Sequence, residues 1–194
     1  MKFLFGLSFL VFAVNLCFGQ DQPLAYDERG KLIHYEVVEM NGITKAQLDA
    51  RAEKFFKKSA KMLKLKSAAG DSLMQAAGKI VITKTALVLS HPSGEVQYNF
   101  YAEAKDAKYR FWLTDYEFIP YQRDRYGNFV PSTVIGVPLE RKPGKLNAGE
   151  WEAYLKYATS QSRVIAGQFK DAMNAKQEQA PKTKSPETIS TKKW

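Results

Sequence analysis

Cysteine is almost missing from this chain. Cys17 is the only one in 194 residues, and it sits inside the apolar opening stretch. With that stretch removed, disulfides, thiol nucleophiles and thiolate metal sites are excluded together. Histidine is scarce too: neither His34 nor His91 has a ligand-spaced cluster around it, so both read as surface histidines, with no metal site and no cofactor implied. Eight prolines beside 13% aromatic residues exclude a fibrous or low-complexity chain. No serine occupies a nucleophile elbow, and no glycine-rich loop follows a strand at phosphate-binding spacing. Acidic residues are in deficit, 20 against 29 Lys plus Arg, for a formal net charge of +9. Such a balance invites anionic partners, and which one depends on where the cations stand.

What is present begins with an address. Lys2 precedes an almost wholly apolar run from Phe3 to Phe18, too short for the roughly 20 residues of a membrane span. Cys17-Phe18-Gly19 supplies small residues at the positions a signal peptidase reads, so residues 1–19 are expected to be a signal peptide. A lipid anchor on Cys17 wants a small residue before it, and Leu16 stands there instead. No second apolar run approaches spanning length. The expected location is therefore periplasmic or extracellular.

The mature part reads as one domain over 20–173. Residues 20–30 are a polar, extended lead-in. Residues 31–39 alternate as a strand, with Ile33, Tyr35 and Val37 on the more apolar face and Leu32, His34 and Glu36 opposite. Thr44 and Gln47 form a capping box, opening a helix whose apolar stripe runs Leu48, Ala52, Phe55, Ser59, Met62 and Leu63. A turn is expected over 67–72. Residues 79–89 read as a strand with a bulge or break near Lys84, and 91–94 as a turn. Val96 to Ala102 and Tyr109 to Leu113 alternate as a hairpin around 105–108. That phase sends Tyr109 and Phe111 inward and leaves Trp112 and Tyr116 outside. Residues 120–144 lack period and read as a long loop, so the domain divides into a core over 31–120, a loop over 121–146 and a C-terminal helix. Asn147 and Glu150 resemble a second capping box, starting a helix over 147–173. The polar, lysine-rich residues 174–194 are expected to be a disordered tail. The fold class that follows is α+β, an antiparallel sheet with helices packed on one face.

Several of these segments resemble a known family. They are the Phe-Gly-Gln ending of the signal peptide, the strand from Tyr35 to Glu39, and Gly42-Ile43-Thr44-Lys45-Ala46-Gln47-Leu48 opening a helix that carries Phe55-Phe56. The strand from Lys108 to Tyr116 completes the set. Together they are similar to the domain of unknown function 4468 with TBP-like fold, found in secreted proteins of Bacteroidetes. The resemblance implies a curved antiparallel sheet backed by helices and lends no catalytic residues. Its fold label belongs to a DNA-binding protein, but fold analogy alone carries no function. An exported chain is also separated from its own genome, so no nucleic-acid partner is expected.

Three groups of residues compete for a role. Between Arg51 and Lys66 there are seven cations and one acid, Glu53. Lys54, Lys57, Lys58 and Lys61 would form a stripe, either a solvated helix face or a contact for anionic lipid, lipopolysaccharide or an acidic protein. Tyr121, Arg123, Arg125, Tyr126 and Phe129 have the composition of an interface anchor, or pack back over the open end of the sheet. Asp115 and Glu117 share a strand face, as a glycosidase pair or as ordinary solvated acids. The leading expectation is a non-enzymatic binding or scaffold domain of the cell envelope, with an envelope protein or anionic surface as partner. The alternatives are an enzyme acting on envelope polymers and an anionic-surface binder using the basic helix 51–66.

Overall fold

The computed structural model describes residues 23–67, 73–86 and 89–175. The expected signal peptide, the turn centred on 68–72 and the tail from residue 176 lie outside the described residues. Among the described residues eight strands form in chain order: β1 (Ala25–Tyr26), β2 (Leu32–Glu39), β3 (Leu63–Ser67), β4 (Leu73–Ala86), β5 (Leu89–Lys105), β6 (Lys108–Arg123), β7 (Phe129–Pro131) and β8 (Val137–Pro138). Two α-helices accompany them, α1 (Lys45–Lys58) and α2 (Ala148–Asn174). The path across the sheet is β1-β2-β6-β5-β4-β3, and every pairing is antiparallel. β6 is its spine. One edge pairs with β5 over almost its whole length; the other pairs first with β2 and then with β8 and β7.

Period-two alternation decides which face is buried. Val96, Tyr98, Phe100 and Ala102 of β5 and Tyr109, Phe111 and Leu113 of β6 point to one side, and both helices lie on it. Phe169 of α2 packs 5.0 Å from Phe111 and 5.1 Å from Phe55, while Phe56 meets Phe100 at 5.3 Å, mostly edge-on. Fully burying a side chain of this size contributes on the order of 1.5–3 kcal/mol. This cluster clamps both helices to the centre of the sheet. Among the described residues no helix is long and apolar enough to cross a membrane.

The α+β class and the one-sided helix layer agree with expectation; several local readings do not. The lead-in holds β1, and an Asp27 turn feeds β2, its carboxylate accepting the Arg29 and Lys31 amides. In β2 the faces are reversed. Tyr35 and Val37 are half exposed, whereas His34 and Glu36 lie under α2, where Lys170 reaches Glu36 at 2.7 Å and His34 bonds Glu36 at 2.9 Å. His34 is thus partly covered rather than a surface residue. The helix expected to continue past Met62 ends at Lys58, and Leu63 enters the core from a strand.

Residues 91–94 are strand, not turn. The register shifts between Ile82 and Thr83, so Gly94 and Pro92 face consecutive β4 residues and Ser93 is extra. That shift is the irregularity expected near Lys84. A second bulge sets Gln97 against Glu117 but Asn99 against Thr114, and Asp115 takes a positive φ of 56° there. The extra residue inverts the alternation, so Tyr116, expected outside, is fully buried with its hydroxyl 2.7 Å from Ser162. The segment 120–144 is no open loop: it contains the end of β6, β7 and β8. Asn147 makes no side-chain cap; a 3-10 turn over Lys145–Asn147 leads into α2 instead. Asn174, assigned to the tail, is the last residue of α2.

Candidate functional site

α1 is fixed firmly at its start. Thr44 accepts from the Gln47 amide, the Gln47 side chain accepts from the Thr44 amide, and Asp106 accepts from the Lys45 amide at 2.7 Å. Leu48, Ala52, Phe55 and Phe56 then face the core. With the helix rotation set by those four residues, Lys54 and Lys58 stand on the solvent side. At the far end the chain leaves the helix at Ser59. The amides of Met62 and Leu63 both bond to the Ser59 carbonyl at 2.8 Å, and this turn carries Lys61 and Met62 outward as Leu63 turns inward.

The last turns of α2 end alongside α1. Arg51 Nη1 donates to the Met173 carbonyl at 2.5 Å, so a cation meets the negative end of the α2 dipole. Between the two helix ends lies a groove of about 770 Å³. Its floor is apolar, with Phe55, Met62 and Ala172 among its residues; Arg51, Lys54, Lys58 and Lys61 rim it, and Asp171 is the one acid in the lining. Among the described residues Lys54, Lys58 and Lys61 have no acidic partner, and Met62 is 55% exposed. Lys57, grouped with these lysines in the sequence, instead pairs with Glu53 at 2.7 Å and does not line the groove.

The second expected group is held together by its own contacts. Tyr121 donates to Glu95 Oε2 at 2.6 Å, Arg123 sits 4.8 Å from the Phe129 ring centre, and Arg125 lies at the same distance from Tyr126. His91 stacks on Phe129 at 5.5 Å. Burial first, then the bond to Glu95, pushes the Tyr121 hydroxyl up to about 12. Tyr126 alone of these aromatics is strongly exposed, at 73%. The hairpin therefore stands on its own strands and is not brought together with the α1 lysines.

Asp115 and Glu117 do meet in a cavity, of about 430 Å³, on the sheet face opposite the helices. Lys64, Lys66 and Lys79 share it with Glu95, Gln97 and Asn99, and Lys61 and Met62 stand between this cavity and the groove, lining both. Asp115 is occupied structurally, accepting from Asn99 at 3.1 Å and lying 3.5 Å from Arg29. Glu95 is the deeply buried carboxylate of this face. Burial pulls its pKa upward, but hydrogen bonds from Tyr121, Gln97 and Lys79 outweigh that and hold it below the ordinary value. Glu95 thus serves as the shared acceptor that ties Tyr121, Gln97 and Lys79 together on this face.

The sequence reading missed Glu95, whose alternation places it among surface acids, and it placed Met62 in the core. Nothing in the sequence marked Asp171 or Ala172 as neighbours of Lys54 and Lys58. Their proximity comes from helix packing between segments more than one hundred residues apart.

An open-faced antiparallel sheet with two helices on its back defines a TBP-like α+β domain. In agreement, residues 34–118 match the domain of unknown function 4468 with TBP-like fold, the family the sequence motifs resemble. Two solved structures share the fold. A TBP-like protein from Parabacteroides distasonis ATCC 8503 has a TM-score of 0.58 and 12% identity, with 77% of this chain and 97% of that one covered. A DUF4468 family protein from Bacteroides ovatus ATCC 8483 has a TM-score of 0.57 and 11% identity, with 81% and 94% covered. At such identities the likeness is one of fold. No functionally curated protein matches the chain.

Proposed function

We propose that this chain is an exported, non-catalytic binding domain of the cell envelope, and that its binding site is the groove between the ends of α1 and α2. Export rests on Lys2, the apolar run 3–18 and the small residue Gly19. The observation that carries the binding reading is the groove itself. An apolar trough of about 770 Å³ falls within the roughly 300–1,000 Å³ typical of small-molecule sites. Lys54, Lys58 and Lys61 surround it, and among the described residues none of the three forms an ion pair. A solvated helix face explains exposed lysines but not the exposed Met62 and the apolar floor they surround.

The test is retention in the cell envelope. Ala50 lines the groove from an exposed position on α1, so Ala50→Trp fills the trough without touching the core. Envelope-associated protein is expected to fall at least tenfold in Ala50→Trp and to stay unchanged in Arg125→Gln/Tyr126→Ser and in Asp115→Asn/Glu117→Gln. Retention lost in either of those pairs but kept in Ala50→Trp would transfer the function to the hairpin or to the open sheet face.

A further inference from the structure

Given that groove as the binding site, the geometry points to one class of ligand: a single-chain anionic amphiphile, a fatty acid whose chain lies on the apolar floor and whose carboxylate meets Lys54, Lys58 or Lys61. The assignment rests on the groove reading and adds the chemistry of the occupant to it.

Floor and rim make separate demands. Phe55, Met62, Ala50 and Ala172 offer carbon surface and few hydrogen-bonding groups, so the buried part of the ligand is hydrocarbon. Arg51 is already engaged with the Met173 carbonyl, whereas Lys54, Lys58 and Lys61 form no ion pair among the described residues; the single carboxylate of the lining, Asp171, leaves the rim with an excess of positive charge. A cationic tail would be repelled there, and a neutral one would leave the lysine charges unanswered. From Ala50 to Lys58 the wall of α1 runs about 12 Å at 1.5 Å per residue, a length along which an acyl chain can lie.

Three other occupants fit less well. A folded partner needs roughly 20–30 residues on each side of a standard interface, and the groove is lined by only 12. A bilayer surface is flat, whereas this apolar surface lines a concave trough, although Met62 itself is exposed. The chain's own residues 176–194 contain five lysines and two glutamates, the wrong sign for a lysine rim.

The experiment is calorimetric titration of the full exported chain with dodecanoate, dodecanol, dodecyltrimethylammonium and acetate, each below its aggregation limit, and with phosphatidylglycerol vesicles. Saturable binding of dodecanoate is expected, at least tenfold tighter than dodecanol, with none for acetate or the cationic amphiphile. Lys54→Gln/Lys58→Gln/Lys61→Gln should reduce dodecanoate to the level of dodecanol. Ala50→Trp should abolish both at an unchanged melting temperature. Equal affinity for dodecanoate and dodecanol, an unaffected triple variant, or binding to vesicles alone would overturn the assignment. If dodecanoate fails to bind while Ala50→Trp still loses envelope retention, the ligand class is wrong and the groove reading stands. If Ala50→Trp also keeps full retention, both fall.

Discussion

Glu95 is 2% exposed and still carries its charge, because Lys79, Gln97 and Tyr121 all donate to it. Its folded pKa lies below the ordinary 4.5, so the unfolded chain takes up a proton before the folded one does. The stabilisation it supplies is therefore complete above about pH 4.5 and drains away as pH falls through the lowered value. Glu36 behaves alike: burial raises its pKa, but the bonds from Lys170 and His34 win and lower it. Replacing Glu95 by Gln turns an amide donor toward groups that themselves donate and leaves Lys79 without its charge partner. At pH 7 this should cost on the order of 1.5–3 kcal/mol, the scale of hydrogen bonds to a charged group. Urea midpoints of the two proteins should converge as the pH falls from about 5 through the range below 4.5 in which folded Glu95 takes up its proton. A gap that stays constant over that range contradicts this account of Glu95. Asp115 and Tyr116 carry a second lesson at this scale. One bulged residue at φ 56° moves Tyr116 from the expected solvent face into full burial.

At the scale of elements, α1 shows what the sequence makes legible. Thr44 and Gln47 announce the start of the helix, and the capping box forms as read. Thr44→Ala should lower stability by about 1 kcal/mol in thermal unfolding, the usual cost of losing such a cap. A change below roughly 0.3 kcal/mol would mean that Asp106, which also accepts at this end, suffices alone. The other end is not legible, because Met62 and Leu63 continue the apolar spacing and nothing local forbids another turn. The competition is settled by pairing across the sheet, where Leu63 lies opposite Gly78, and a Cβ at Gly78 would collide with the Tyr98 ring. β2 misleads for a related reason: its more apolar face is the open one, since Lys170 of α2 supplies a partner that lets Glu36 point under the helix. The hairpin of β5 and β6 is read correctly in both phase and connection because its signal is local, up to the bulge.

For the whole molecule, the sheet-and-helix class follows from pattern, but the groove follows from assembly. Its lysines could be named from the sequence, yet they share it with Met62, Asp171 and Ala172 only because Phe55 and Phe169 draw the two helices together. The hairpin and the carboxylate pair, equally prominent in sequence, are mostly occupied by their own contacts. The most direct measurement is photocrosslinking in living cells from a benzophenone side chain placed at Gln168, an exposed residue of the groove lining whose long side chain it replaces, at Val37 on the open sheet face, or at Tyr126 on the hairpin. The predicted result is an adduct from Gln168 alone, one that increases the protein's mass by that of an acyl-chain compound. Adducts from Val37 or Tyr126 with none from Gln168 would contradict it.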